Sequence, residues 1–112
     1  MRVRTAAESE AALRQAVDRL ATRFDPDKII LFGSRARGQG GPESDADLLI
    51  VMPVNGSKRQ QAVQMDLALE GIPIPIDLIV ITPEEVEKYR DAAGTVIHEA
   101  VREGKVLYER TA

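Results

Sequence analysis

The sequence predicts a two-layer α+β domain: a small sheet, mixed or antiparallel, with helices packed on one face. Three observations point there. A first segment carries apolar residues at helical spacing, three short runs rich in Ile, Leu and Val read as strands, and proline- or glycine-bearing turns separate them. At 112 residues, the whole span 1–112 is expected to form one domain.

Residues 1–6 read as a frayed end. From Glu8 to Phe24, Leu13, Val17, Leu20 and Phe24 recur every three or four positions, the mark of a helix with one buried face. Asp25-Pro26-Asp27 stops it, because a proline restricts the residue before it. Ile29-Ile30-Leu31-Phe32 is a buried strand by composition, and a short helix or turn is expected from Ser34. Residues 39–44 form a loop rich in glycine. Asp47 to Met52 reads as a second strand and residues 58–70 as a helix that Gly71 can cap. Ile72-Pro73-Ile74-Pro75 is irregular, since proline breaks a strand ladder, and Ile76 to Ile81 is a third strand. Thr82-Pro83-Glu84-Glu85 combines a capping box with proline at the first helical position. That helix is expected to end between Asp91 and Gly94, and another to run from about Thr95 to Glu103 before Gly104. Lys105 to Tyr108 is a last short strand or an extended tail.

Composition narrows the function. With 18 acidic and 15 basic residues the net charge is −3, so a nucleic-acid binder driven by global charge is not expected. The chain has no cysteine, which excludes disulfides and thiolate chemistry. No apolar run approaches the roughly 20 residues of a membrane-spanning helix, and neither a signal peptide nor a lipid anchor is read; a cytoplasmic protein is expected. Phe24, Phe32, Tyr89 and Tyr108 are too few to build a stacking platform for single strands.

The chemistry concentrates between Lys28 and Ile50. A buried strand ends at Gly33-Ser34, and after the ten residues 35–44 come Asp45 and Asp47. Side chains two apart on a strand share a face, so both carboxylates can reach one cation. Like charges that close repel, whereas magnesium takes hard oxygen ligands from one or two carboxylates and substrate phosphates. Asp77 interrupts the apolar strand 76–81 and would complete the cluster if that strand lies beside the Asp47 strand. Gly33 lets the backbone approach phosphates; the Ser34 hydroxyl and the following N–H groups can bind their oxygens, with Arg35 and Arg37 as nearby cations. The pattern is not a P-loop. His98, the single histidine, cannot make a zinc site, and Glu84, Glu85 and Glu87 are explained by the start of a helix.

Leu31-Phe32-Gly33-Ser34-Arg35-Ala36-Arg37-Gly38, followed by Ser44-Asp45-Ala46-Asp47-Leu48-Leu49-Ile50, resembles the signature of the nucleotidyltransferase superfamily related to DNA polymerase beta. The size is similar to that of the minimal nucleotidyltransferases, antitoxin partners of HEPN-type ribonuclease toxins. The resemblance implies a nucleotidyltransferase-like fold, Mg2+ held by Asp45, Asp47 and Asp77, and ATP phosphates at Gly33 and Ser34. It also implies transfer of AMP to a tyrosine of a HEPN-type toxin, with a homodimer or hetero-oligomer as the assembly. The alternatives are a non-catalytic antitoxin that acts by binding, and transfer to a small molecule or RNA.

Overall fold

A computed structural model describes residues 4–42 and 44–111 of the chain. Helix α1 (Ala6–Phe24) begins at a capping box: the Thr5 hydroxyl accepts from the Glu8 N–H at 3.1 Å, and the Glu8 carboxylate accepts from the Thr5 N–H at 2.9 Å. Thr5 and Ala6 are therefore structured rather than frayed, and residues 1–3 of that expected end lie outside the described residues. Asp25 ends α1 in the left-handed region (φ 45°), which aspartate tolerates, and the following Pro26 disfavours continuing the right-handed helix through it. Strands β1 (Lys28–Phe32) and β2 (Ala46–Val51) follow, then α2 (Lys58–Ala68), β3 (Ile76–Ile81), α3 (Pro83–Tyr89), α4 (Val96–Glu103) and β4 (Lys105–Glu109).

The sheet is mixed, in the order β3-β2-β1-β4. β1 pairs antiparallel with β2, Lys28 opposite Val51 and Phe32 opposite Asp47. β3 adds to β2 in parallel after the α2 crossover, with Ala46 opposite Ile76 and Asp47 opposite Asp77. The Pro73 and Pro75 segment fits this register: the Pro75 carbonyl accepts from the Ala46 N–H at 3.0 Å, and Ile74 is buried. β4 lies antiparallel on the other side of β1 as an edge strand, with a bulge between the Ile29–Tyr108 and Ile30–Val106 pairs.

The two long helices, α1 and α2, pack on one face. Ala12, Leu13, Ala16, Val17 and Leu20 of α1 meet Ile29, Leu31, Leu48 and Ile50 of the sheet and Met65 of α2 in the main core. On the opposite face Ile30, Phe32, Leu49, Val51 and Ile81 form a second cluster under Ile97 and Ala100 of α4, with Val86 and Tyr89 of α3 beside it. Because β1 and β2 are covered on both sides along most of their length, Ile29–Phe32 and Leu48–Val51 are uninterrupted apolar runs. β3 is covered less: Asp77 and Ile79 remain exposed on the α3–α4 side. Among the described residues no helix is long and apolar enough to cross a membrane.

Candidate nucleotide and metal site

β1 ends at Phe32, and Gly33 turns the chain with φ +79°, a conformation that strains any residue with a Cβ. A second constraint applies at the same position. A Cβ on Gly33 would lie 2.5 Å from Oδ2 of Asp47, so the glycine leaves the space that the carboxylate occupies. The chain then coils through a tight turn: the Arg37 N–H donates to the Gly33 carbonyl at 3.2 Å and the Gln39 N–H to the Ser34 carbonyl at 2.9 Å. Ser34 is half-buried, and its hydroxyl, with that of Ser44, occupies the space that a Cβ on Gly40 would need where the loop folds back.

Asp47 and Asp77 stand opposite each other on neighbouring parallel strands, and Asp45 lies exposed just ahead of β2, two residues from Asp47. In strand alternation Asp47 and Asp77 belong to the face of Phe32 and Leu49, at its uncovered end. Burial pushes the Asp47 carboxyl above its ordinary pKa, and the charges of Asp77, Asp45 and Glu99 push it further in the same direction. Glu99 on α4 thus joins the electrostatics of the site. Its only sequence signal is a place in the first turn of a helix, where an acidic residue is usual.

The two arginines take different courses. Arg35 turns toward α1: its guanidinium donates to the Ser9 hydroxyl at 2.7 Å, the Ser44 carbonyl at 2.6 Å and the Pro42 carbonyl at 3.4 Å. Its Nε is buried without a hydrogen-bond partner. Arg35 therefore ties the 34–44 loop to α1. Arg37 points to α4, 3.7 Å from both Glu99 and Glu103, and also donates to Gln39 at 3.3 Å. Sequence reasoning missed Ser9. Its one signal is a hydroxyl within the buried stripe of α1, in step with Leu13 and Ala16.

The donor set fits magnesium, with hard carboxylate oxygens whose mutual repulsion a divalent cation relieves and the Gly33-Ser34 turn beside them. Among the described residues no three acidic or histidine side chains gather closely enough to hold a metal ion by themselves. Two carboxylates with substrate phosphates supplying the remaining oxygens is the arrangement magnesium commonly takes. A cleft of about 390 Å³ lies elsewhere: Lys28, Ile30, Val51, Val86 and Val106 line it, and none of Gly33, Ser34, Asp45, Asp47 or Asp77 does.

The profile of the nucleotidyltransferase domain matches residues 13–97. The chain belongs to the nucleotidyltransferase domain family. The matched span runs from α1 into α4 and contains the glycine-serine turn and all three aspartates. Solved structures agree in fold. A protein from Sulfolobus solfataricus provisionally assigned as a nucleotidyltransferase aligns with TM-score 0.65 and 22% identity, over 97% of this chain and 91% of that one. A protein provisionally assigned as a minimal nucleotidyltransferase aligns with TM-score 0.58 and 29% identity, over 88% of this chain and 92% of that one. A chain from a toxin–antitoxin structure with AMP-PNP aligns with TM-score 0.52 and 22% identity, over 88% of this chain and 74% of that one. A comparison with curated proteins returns no significant match.

Proposed function

We propose that this nucleotidyltransferase-domain protein is a magnesium-dependent enzyme that transfers AMP from ATP to a hydroxyl of a partner protein, and that it acts as an antitoxin. The observation that carries the reading is the placement of Asp47 opposite Asp77, next to the Gly33-Ser34 turn, on an uncovered part of the sheet. The likeness over 92% of a chain assigned as a minimal nucleotidyltransferase supports it. The fold shared with a chain of a toxin–antitoxin structure directs the choice of partner toward a toxin; the HEPN type and a tyrosine acceptor rest on the family resemblance of the sequence alone.

Asp45, Asp47 and Asp77 would hold magnesium, which when bound neutralises triphosphate charge and the departing pyrophosphate. Ser34 and the N–H groups of the turn bind and orient the phosphate oxygens. The acceptor oxygen attacks the α-phosphorus, the bond from that phosphorus to the bridging oxygen breaks, and pyrophosphate leaves. Asp77, exposed on the edge strand and so within reach of an incoming protein, receives the hydroxyl proton. Arg35 holds the loop in place from behind.

The test is the intact mass of a HEPN-type protein encoded beside this chain, after incubation with it, ATP and magnesium. A gain of one or more AMP units, lost in Asp45→Asn/Asp47→Asn, is the expected result. A stable complex without any mass change would replace this reading with neutralisation by binding alone, an alternative consistent with the absence of three converged metal-ligating groups among the described residues.

A further inference from the structure

The glycine-serine turn carries two arginines, and the fold leaves one of them for the phosphates. Arg35 is occupied behind the turn by the Ser9 hydroxyl and the Ser44 and Pro42 carbonyls. Arg37 is exposed, and its guanidinium reaches across to α4. There it lies 3.7 Å from Oε2 of Glu99 and 3.7 Å from Oε2 of Glu103, one helical turn apart.

Glu99 is the more consequential of the two carboxylates. Its side chain is less exposed, 42% against 57% for Glu103. It also faces the carboxylate site: α4 packs over Phe32 and Leu49, on the face to which Asp47 belongs, and the Glu99 charge is felt at Asp47. Glu99 therefore acts on Arg37 and on the aspartates at once. For a bare triphosphate both actions are unfavourable. Glu99 adds a negative charge to a site that already holds Asp45, Asp47 and Asp77, and it engages the cation that would offset the repulsion. For a nucleotide that brings magnesium the balance differs, because the same carboxylate attracts the metal. The pairs with Arg37 join exposed groups, so they are weak and phosphate oxygens can displace them.

We propose that Glu99 is a specificity-determining residue: by its own charge and by holding Arg37 it disfavours metal-free nucleotide, so that the site takes ATP as its magnesium complex. Glu99 does this without ligating the metal. The inference rests on the reading of the site as one for ATP and magnesium.

The test is a titration of the full chain with a fluorescent, non-hydrolysable ATP analogue at low ionic strength, with excess magnesium and again in EDTA. Wild type, Glu99→Gln, Arg37→Gln and the double variant are compared, with thermal melts to confirm folding. Glu99→Gln keeps the size of the side chain and removes its charge. In EDTA it should bind the analogue at millimolar concentration, about fivefold more tightly than wild type, the scale of two exposed charge interactions. With magnesium the gain should be much smaller, because lost attraction for the metal opposes relieved repulsion of the phosphates. In the Arg37→Gln background the gain in EDTA should fall by about half, since only the direct repulsion remains to be relieved. Equal gains with and without magnesium, no binding of Glu99→Gln in EDTA, or an undiminished gain without Arg37 would each overturn the inference. So would loss of magnesium-dependent binding in Glu99→Gln, which would make Glu99 a metal ligand. A wild type that fails to bind even with magnesium would remove the nucleotide site itself, and the inference with it.

Discussion

Gly33→Ala separates backbone strain from damage to the site, because the protein contains its own control. Gly33 and Gly38 have nearly the same left-handed φ, +79° and +75°. An alanine at either position takes on the left-handed penalty of about 1–2 kcal/mol. For a domain of this size that corresponds to a loss of roughly 5–10 °C in Tm. The surroundings differ. A Cβ at Gly38 meets nothing within 4 Å, whereas at Gly33 it would lie 2.5 Å from Oδ2 of Asp47. That oxygen is the end of a rotatable side chain, so it yields at little extra cost in stability. The carboxylate must nevertheless leave its position, and a displacement of about 1 Å in a catalytic group reduces rate by roughly 100-fold. The two variants should therefore melt within a few degrees of each other. Gly38→Ala should retain most of the magnesium-dependent rise in Tm and of the transfer rate, and Gly33→Ala should lose both. Differential scanning fluorimetry with and without magnesium and a non-hydrolysable ATP analogue reads the first effect. A transfer assay on the partner protein reads the second. Equal retention by both variants, or equal loss, would refute the link between Gly33 and the placement of Asp47.

Three further perturbations have defined outcomes. Asp47 has a raised pKa in the fold, so its protonated form is favoured there, and the associated stability is lost as pH rises through that pKa. Asp47→Asn in EDTA should accordingly melt higher than wild type at pH 7, with the gap closing below the carboxylate range, and magnesium should raise Tm only in the wild type. Arg35→Ala removes the bonds to Ser9 and Ser44 and should cost about 2–4 kcal/mol in urea unfolding. Arg35→Lys should recover little of this, since an ammonium lacks the guanidinium fork. Gly104→Ala would press a methyl on the Ala100 carbonyl, the Ile30 side chain and the Leu31 carbonyl. Two of these are backbone atoms that cannot rotate away, so a loss of about 1–3 kcal/mol is expected by thermal or chemical denaturation.

Much of the fold is legible because local patterns act locally. The stripe through Leu13, Val17 and Leu20, the proline stops and the Thr82–Glu85 capping box each set one element by sterics or by a nearby hydrogen bond. The strand order was not legible, because pairing is decided by which faces bury together over long separations. β4 shows this: in sequence Lys105 to Tyr108 is a last short strand or an extended tail, and pairing with β1 makes it a strand, Lys105–Glu109. At the site, Asp45 and Asp47 stand out through period-two spacing, and Asp77 as a carboxylate in an apolar strand. The arginines did not separate in sequence. Arg35 and Arg37 flank the same turn, and only the fold sends one to Ser9 on α1 and the other to Glu99 and Glu103 on α4. Thr5 and Glu8 carried a readable capping pattern that position near the chain start obscured.

Isothermal titration of the purified chain with a non-hydrolysable ATP analogue, with and without magnesium, in wild type and in Asp45→Asn/Asp47→Asn, reaches the metal and nucleotide site without needing a partner. Binding that requires magnesium and disappears in the double variant, while the variant remains folded, is the predicted result. Binding that persists without magnesium, or that the double variant keeps unchanged, would contradict a nucleotide site built on these carboxylates.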